Sequence, residues 1–179
     1  MSELSPPSLT FRPLERADFP LLQKWLSAPH VAAWWRTSFD IEQMEGMFGP
    51  RIDGTEPTHV FVIEHQGDAI GWIQWYRWSD YPEHARQLEA DSRAAGIDLA
   101  IGEAALMGLG LGSAAIRDFL RQIVFAETDM IAVITDPEAG NVRSLRAFAR
   151  AGFRTVKAVQ LAGESSKRQV VRLERADCG

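Results

Sequence analysis

The sharpest chemical signal in the chain is a glycine-rich turn, Met107-Gly108-Leu109-Gly110-Leu111-Gly112, set between an alternating strand and a helix that begins near Ser113. Glycines let backbone amides approach a phosphate closely, and the N-terminus of the following helix adds a favourable dipole. A nucleotide P-loop needs Lys and then Ser or Thr after the last glycine, and Gly112-Ser113-Ala114 has no Lys. A dinucleotide-binding turn follows the first strand of a βαβ unit, whereas this turn follows a strand meander. On spacing alone two readings stay open: a pyrophosphate cradle for coenzyme A, or glycines that only permit tight helix packing.

Carboxylates and aromatic rings make up the rest of the chemical inventory. Residues 96–103 alternate, which puts Ile97, Leu99 and Ile101 on one face and Asp98, Ala100 and Gly102 on the other. Asp98 is therefore a weak base on a half-buried strand, or simply a solvated side chain. Asp136, before Pro137, suits a turn or helix cap as well as a ligand contact, and Asn141 suits an N-cap. Trp34 and Trp35 can wall a sugar-like ligand, although Trp usually packs in a core, the role expected of Trp34, Trp25 and Trp72; Trp75 and Trp78 fit either role. His30, His59, His65 and His84 lack metal-ligand spacing, and no Ser-His-Asp set stands out, so no metal is expected.

Charge sets limits on partners. The 179 residues carry a net charge of −5, which argues against a nucleic-acid binder working through general phosphate attraction. The charge is uneven: residues 40–103 hold thirteen carboxylates against four arginines, while residues 140–179 hold nine basic groups against three acidic ones. Charge runs of this kind are more often solvated faces, but the asymmetry also suits a cationic ligand, such as a small polycationic amine, near the middle of the chain and an anionic ligand toward its end. Cys178 is the only cysteine, so no intrachain disulfide forms, and a reducing cytoplasm fits. No apolar run is long enough for a membrane span, and no membrane partner is expected.

These residues need a scaffold. The pattern predicts residues 1–8 as a disordered lead-in, a single domain over 9–175 and a tail over 176–179. A strand is expected over 9–13, then a helix capped by Asp18 and ended by Pro29. A second helix opens at Asp40 with Gln43 as its capping box and stops at Gly49-Pro50. A hairpin covers 58–65 and 69–78, and residues 79–95 read as a long polar loop. The 96–103 strand, a helix over 113–125, a strand over 130–135, a helix over 141–151 and strands over 153–161 and 169–173 follow. The class is α+β: a mixed, mainly antiparallel central sheet flanked by helices.

An ordered set of segments carries a resemblance to a known family. Trp25-Leu26, His30-Val31-Ala32-Ala33-Trp34-Trp35, Ile70-Gly71, Gly96-Ile97-Asp98, the glycine turn, Thr135-Asp136-Pro137 with Asn141, and Arg150-Ala151-Gly152-Phe153 run collinearly over most of the chain. Together they resemble the GNAT superfamily of N-acetyltransferases, and within it the aminoglycoside 6′-N-acetyltransferases, enzymes of antibiotic resistance. The resemblance implies a GNAT fold with acetyl-CoA as co-substrate and no metal. It implies that Asp98 acts as the base, and that Trp35, Asp80, Tyr81, Asp98 and Asp136 meet the acceptor. Backbone at Leu99, Ala100 and Ile101, the turn from Met107 through Gly108, Leu109, Gly110, Leu111 and Gly112 to Ser113, and Asn141, Ser144 and Phe148 are implied for the coenzyme. Two departures stand out: Phe148 replaces a Tyr that protonates the leaving thiolate in many relatives, and Met107 replaces the Arg or Gln that opens their phosphate loop. The alternatives are another acceptor, such as a siderophore hydroxylamine or a protein N-terminus, or a non-catalytic module binding coenzyme A or a cation. A monomer or weak dimer is expected.

Overall fold

The computed structural model describes residues 9–36 and 39–179, so the expected lead-in lies outside the described residues. Strand β1 (Leu9–Pro13) leads to helices α1 (Phe19–Ser27), α2 (Pro29–Trp35) and α3 (Ile41–Ile52). Strands β2 (His59–His65) and β3 (Asp68–Arg77), helix α4 (Pro82–Leu88) and strand β4 (Ala94–Ile101) follow. Helix α5 (Leu111–Gln122), strand β5 (Ala132–Thr135), helix α6 (Val142–Arg150) and strands β6 (Arg154–Gln160) and β7 (Lys167–Glu174) complete the order. One seven-stranded sheet results, in the order β1-β2-β3-β4-β5-β7-β6. Every pairing is antiparallel except β4 with β5, which confirms the mixed, mainly antiparallel α+β arrangement.

Both faces of this sheet are covered, and the apolar alternation decides by what. One core joins Ile73, Trp75 and Ile97 to Ile116, Phe119 and Phe148 from α5 and α6. A second joins Val62 and Trp72 to Leu22, Trp25 and Leu26 of α1 and Met44 and Phe48 of α3. A smaller third cluster holds Trp78, Leu88, Ile134 and Val170. Trp25 and Trp72 are core, as expected.

Three local expectations change, and one is extended. Asp18 sits at the N-cap position of α1, but its side chain does not cap that helix; both carboxylate oxygens accept from Arg12 at 2.8 Å, because the guanidinium offers two parallel charge-assisted bonds and a full positive charge where a cap offers one amide. Pro29 ends α1 and also opens α2, where its missing N–H costs nothing at the first helical position. Helix α3 continues through Gly49-Pro50: the proline forfeits one hydrogen bond, but Asp53 N–H rejoins the ladder on Gly49 O at 2.9 Å. The presumed loop over 79–95 contains α4, opened by Pro82 and anchored by buried Ala85 and Leu88, one turn apart. At the C-terminal end Arg175–Asp177 form a 3-10 turn, and Cys178 packs against the main core.

Candidate active site

The site begins with a fork in the sheet. Strands β4 and β5 pair only through Ala94↔Ala132 and Ala95↔Val133, and then diverge. Thr135 spans the start of the gap, its hydroxyl donating to Ile97 O at 2.9 Å. In an antiparallel strand the N–H and C=O of one residue point to the same side and alternate along the chain. Ile97 O faces β5, so Leu99 and Ile101 also turn their backbone groups into the gap, while those of Asp98 and Ala100 are spent on β3. Of the amides expected to meet the coenzyme, Ala100 N–H is therefore turned away. Ile101 O is occupied by His30 Nε2 at 2.9 Å, a contact that sequence reading missed.

Two cavities meet at this fork. The larger, about 760 Å³, runs between the end of β4, the glycine turn and α6, and includes Leu99, Ala100, Ile101, Met107, Gly108 and Gly110. Leu111, Gly112, Ser113, Asn141, Ser144 and Phe148 also line it, whereas Leu109 projects outward at 65% exposure and does not. Gly108 and Gly110 have φ of 78° and 80°, conformations that suit glycine. Gly110 is the N-cap of α5, and its added Cβ would meet no neighbouring atom within 4 Å, so open space lies where backbone must approach a ligand. Arg143, Arg146 and Arg150 line the same groove. Exposed amides, a helix N-terminus and three guanidinium groups fit the pyrophosphate and phosphates of a coenzyme A chain.

The smaller cavity, about 440 Å³, adjoins it along β4 and shares Trp34, Trp35, Leu99, Asn141, Ser144 and Phe148 with the first. Asp98 lies in its wall. Its cross-strand partner Gln74 donates from Nε2 to Asp98 Oδ2 at 2.9 Å. The Gln74 amide is oriented in turn by Arg51 of α3, whose Nη1 donates to Gln74 Oε1 at 2.9 Å. Burial raises the Asp98 carboxyl above the usual range; the Gln74 bond and the charge of Arg51 oppose that rise, and Asp136 adds to it. Two register pairs along, Tyr76 faces Gly96, whose missing side chain leaves room for the phenol ring. Burial, with Asp98 and Asp136 nearby, pushes that phenol well above its ordinary value.

At the far end Asp136 follows β5 and is buried. His84 Nε2 from α4 donates to its Oδ2 at 3.0 Å, Arg168 Nη1 of β7 donates to its main-chain oxygen at 3.1 Å, and Arg168 lies 3.8 Å from Oδ2. Tyr81 also lines this cavity and bonds Thr58 at 2.6 Å, but Asp80 is exposed on the preceding turn and reaches neither cavity. Trp35 packs edge-on to Trp72 at 4.7 Å. Trp34 is not core, as its composition suggested, but 37% exposed between the two cavities, because α2 is too short and too far out to bury both indoles. Trp75 is buried and stacked on His59, and Trp78 is buried with its indole N–H donating to Ile134 O at 3.0 Å. Gln74, Arg51, His84 and Arg168 were not legible as site residues, since only β-pairing and loop packing bring them to Asp98 and Asp136. Among the described residues no cluster of metal-ligating side chains occurs, and no helix is long and apolar enough to cross a membrane.

Known proteins share this architecture. Aminoglycoside N(6′)-acetyltransferase type 1 of Klebsiella pneumoniae is 26% identical over 149 residues, covering 82% of this chain and 74% of that protein. A lysine N-acyltransferase of Mycolicibacterium paratuberculosis is 22% identical over 148 residues, covering 83% of this chain and 66% of that protein. The crystal structure of the aminoglycoside acetyltransferase AAC(6′)-Ib in complex with coenzyme A superposes with a TM-score of 0.85 at 24% identity, covering 95% of this chain and 96% of that one. The family model of the acetyltransferase (GNAT) domain matches residues 15–161, a span holding the forked strands, the glycine turn and the acidic cavity, and the chain belongs to that family.

Proposed function

We propose that the protein transfers the acetyl group of acetyl-CoA to a primary amine of an aminoglycoside, at the 6′ position. The observation that carries this reading is the meeting of two cavities along one strand: a groove suited to a phosphate-bearing chain and a cavity with Asp98 in its wall, with Leu99 lining both. Acetyl-CoA supplies an activated acyl thioester. The Leu99 N–H, turned into the gap, donates to the thioester oxygen as negative charge builds on it. Gln74 occupies one oxygen of Asp98 and leaves the other to hold the acceptor's ammonium and take its proton, which frees the lone pair that attacks the thioester carbon; the tetrahedral adduct then breaks its C–S bond, and the expelled thiolate takes the second proton that the new amide nitrogen gives up. The raised affinity of Asp98 for a proton makes it a better base than a solvated aspartate. Trp34 and Trp35 offer aromatic faces to the acceptor's ring, and Tyr81 and Asp136 complete its cavity.

The similarity to a lysine N-acyltransferase supports a second reading, in which the acceptor is a lysine-like amine or its hydroxylamine. Thiol release from acetyl-CoA, measured against aminoglycosides, polyamines, lysine, hydroxylamines and peptides, separates the two. The proposal expects the highest kcat/KM with an aminoglycoside bearing a 6′-amine, and acetylation of that nitrogen by NMR of the product. Preference for lysine or a hydroxylamine would replace it, and absence of turnover with every acceptor would leave a binding module.

A further inference from the structure

The Asp136 end of the acceptor cavity holds an ionisable imidazole. His84 Nε2 lies 3.0 Å from Asp136 Oδ2, on a carboxylate with only 6% of its side chain exposed, while the imidazole itself is 39% exposed. The edge of the His84 ring packs at 5.0 Å against Trp78, which holds it in place. The charged groups around it are Asp136 after β5, Arg168 of β7, Glu164 of the β6–β7 turn and Asp98 of β4, with the Tyr76 phenol nearby. Arg168 is held by Glu164 through two hydrogen bonds of 2.6 and 2.9 Å and also lies 3.8 Å from Asp136 Oδ2, while Glu138, which lines the same cavity, is paired with Arg36 at 2.9 Å, so within each of these two pairs the charges offset one another. With Asp98 set apart on β4, the groups left at this end are Asp136 and His84. With the imidazole protonated this end of the cavity is neutral, and without that proton it carries one negative charge.

We propose that His84 is a specificity-determining residue of the acceptor cavity: its proton and an ammonium group of the acceptor compete for Asp136, so the cavity takes a polycation fully only once His84 is neutral. The proposal rests on the amine-acceptor reading above. The hydrogen bond to Asp136 raises the imidazole's affinity for protons, burial opposing it, so the competition extends upward from the ordinary imidazole range toward neutral pH. In the limit of full competition, acceptor affinity falls by up to about tenfold for each pH unit below the His84 pKa. An acceptor with a single amine, held at Asp98 alone, escapes this effect.

The test compares wild type with His84→Gln, which keeps a hydrogen bond to Asp136 but cannot be protonated. Kanamycin binding is measured by calorimetry from pH 5.5 to 8.5 in buffers of different ionisation heat. The ratio of the two affinities cancels the titration of kanamycin itself. The expected result is a several-fold advantage for His84→Gln at pH 6 that vanishes by pH 8, with wild type alone releasing the additional proton on binding. In wild type, the His84 ring resonance should also titrate at lower pH once kanamycin is bound. A flat affinity ratio with equal proton release, or an unshifted His84 titration, overturns the proposal even if kanamycin is acetylated. If wild type neither binds nor acetylates kanamycin, the aminoglycoside reading fails and this proposal falls with it.

Discussion

Gln74 donates to Asp98 across the β3–β4 ladder at 2.9 Å, with no freedom to turn its amide round, because Arg51 holds the carbonyl end at the same distance. Arg51 is itself fixed by Glu56 at 2.9 Å. Glu56, Arg51 and Gln74 thus form a row of polar contacts ending on one oxygen of the carboxylate. Arg51 acts on Asp98 in two ways, by orienting the amide and by its own positive charge.

Replacing Arg51 by Met should therefore raise the Asp98 pKa further. The acid limb of the kcat/KM profile, where the carboxylate gains its proton, should move to higher pH, with a smaller loss at alkaline pH. Pre-steady-state or steady-state rates from pH 5 to 9 check this, and Arg51→Lys should restore part of the shift by returning the charge without the fork. An unmoved acid limb would separate Arg51 from Asp98.

Asp98→Asn should lower kcat more than it raises the KM of the acceptor. It should also stabilise the fold. Because the folded protein holds the Asp98 proton more tightly than the unfolded chain does, stability falls as pH rises from the ordinary aspartate range through the folded pKa, and above that the penalty is complete. Asn carries no such penalty, so its advantage is expected at neutral pH and should disappear at strongly acid pH. A gain of about 1 kcal/mol would appear as a melting temperature raised by about 2–4 °C. Calorimetric scans at pH 7 and pH 3.5 provide the comparison.

Gly110 adopts φ of 80° with empty space beside it. Gly110→Val introduces a β-branched side chain in a left-handed conformation, costing about 1–2 kcal/mol locally, and places methyl groups where a phosphate must approach backbone. Coenzyme A affinity should fall by at least about tenfold while the far-ultraviolet spectrum stays native. Unchanged affinity in folded protein would remove the turn from the coenzyme site.

Phe148 is buried against Phe153, at 5.0 Å between ring centres, and touches both cavities. It has no proton to give a departing thiolate. Phe148→Tyr places a hydroxyl on this shared wall, and turnover should stay level or rise. A large loss of turnover with normal coenzyme binding would show that the site needs an apolar surface there.

Local sequence determined much of this protein. Alternation over residues 96–103 predicted which side chains of β4 share a face, and Ile97, Leu99 and Ile101 do pack into one core while Ala100 packs against the other. The Asp40–Gln43 capping box, the tight hairpin after His65 and the glycine turn all formed near their predicted positions, because each depends on contacts within a few residues. The acidic middle of the chain likewise contributes Asp98, the carboxylate that faces the acceptor cavity. The tertiary structure alone decided the rest. Helix α4 was hidden in a polar stretch whose two buried residues acquire meaning only against Trp78 and Ile134. The fork that frees the Leu99 backbone arises because β4 and β5 share two register pairs and then part, a matter of sheet twist and of Thr135 filling the gap, not of local propensity. Arg51, Gln74 and Asp98 are separated by more than twenty residues at each step, and so are His84, Asp136 and Arg168 apart in sequence. No spacing rule reaches that far, since the energy of a hydrogen bond depends on the distance between atoms and not on the length of chain between them.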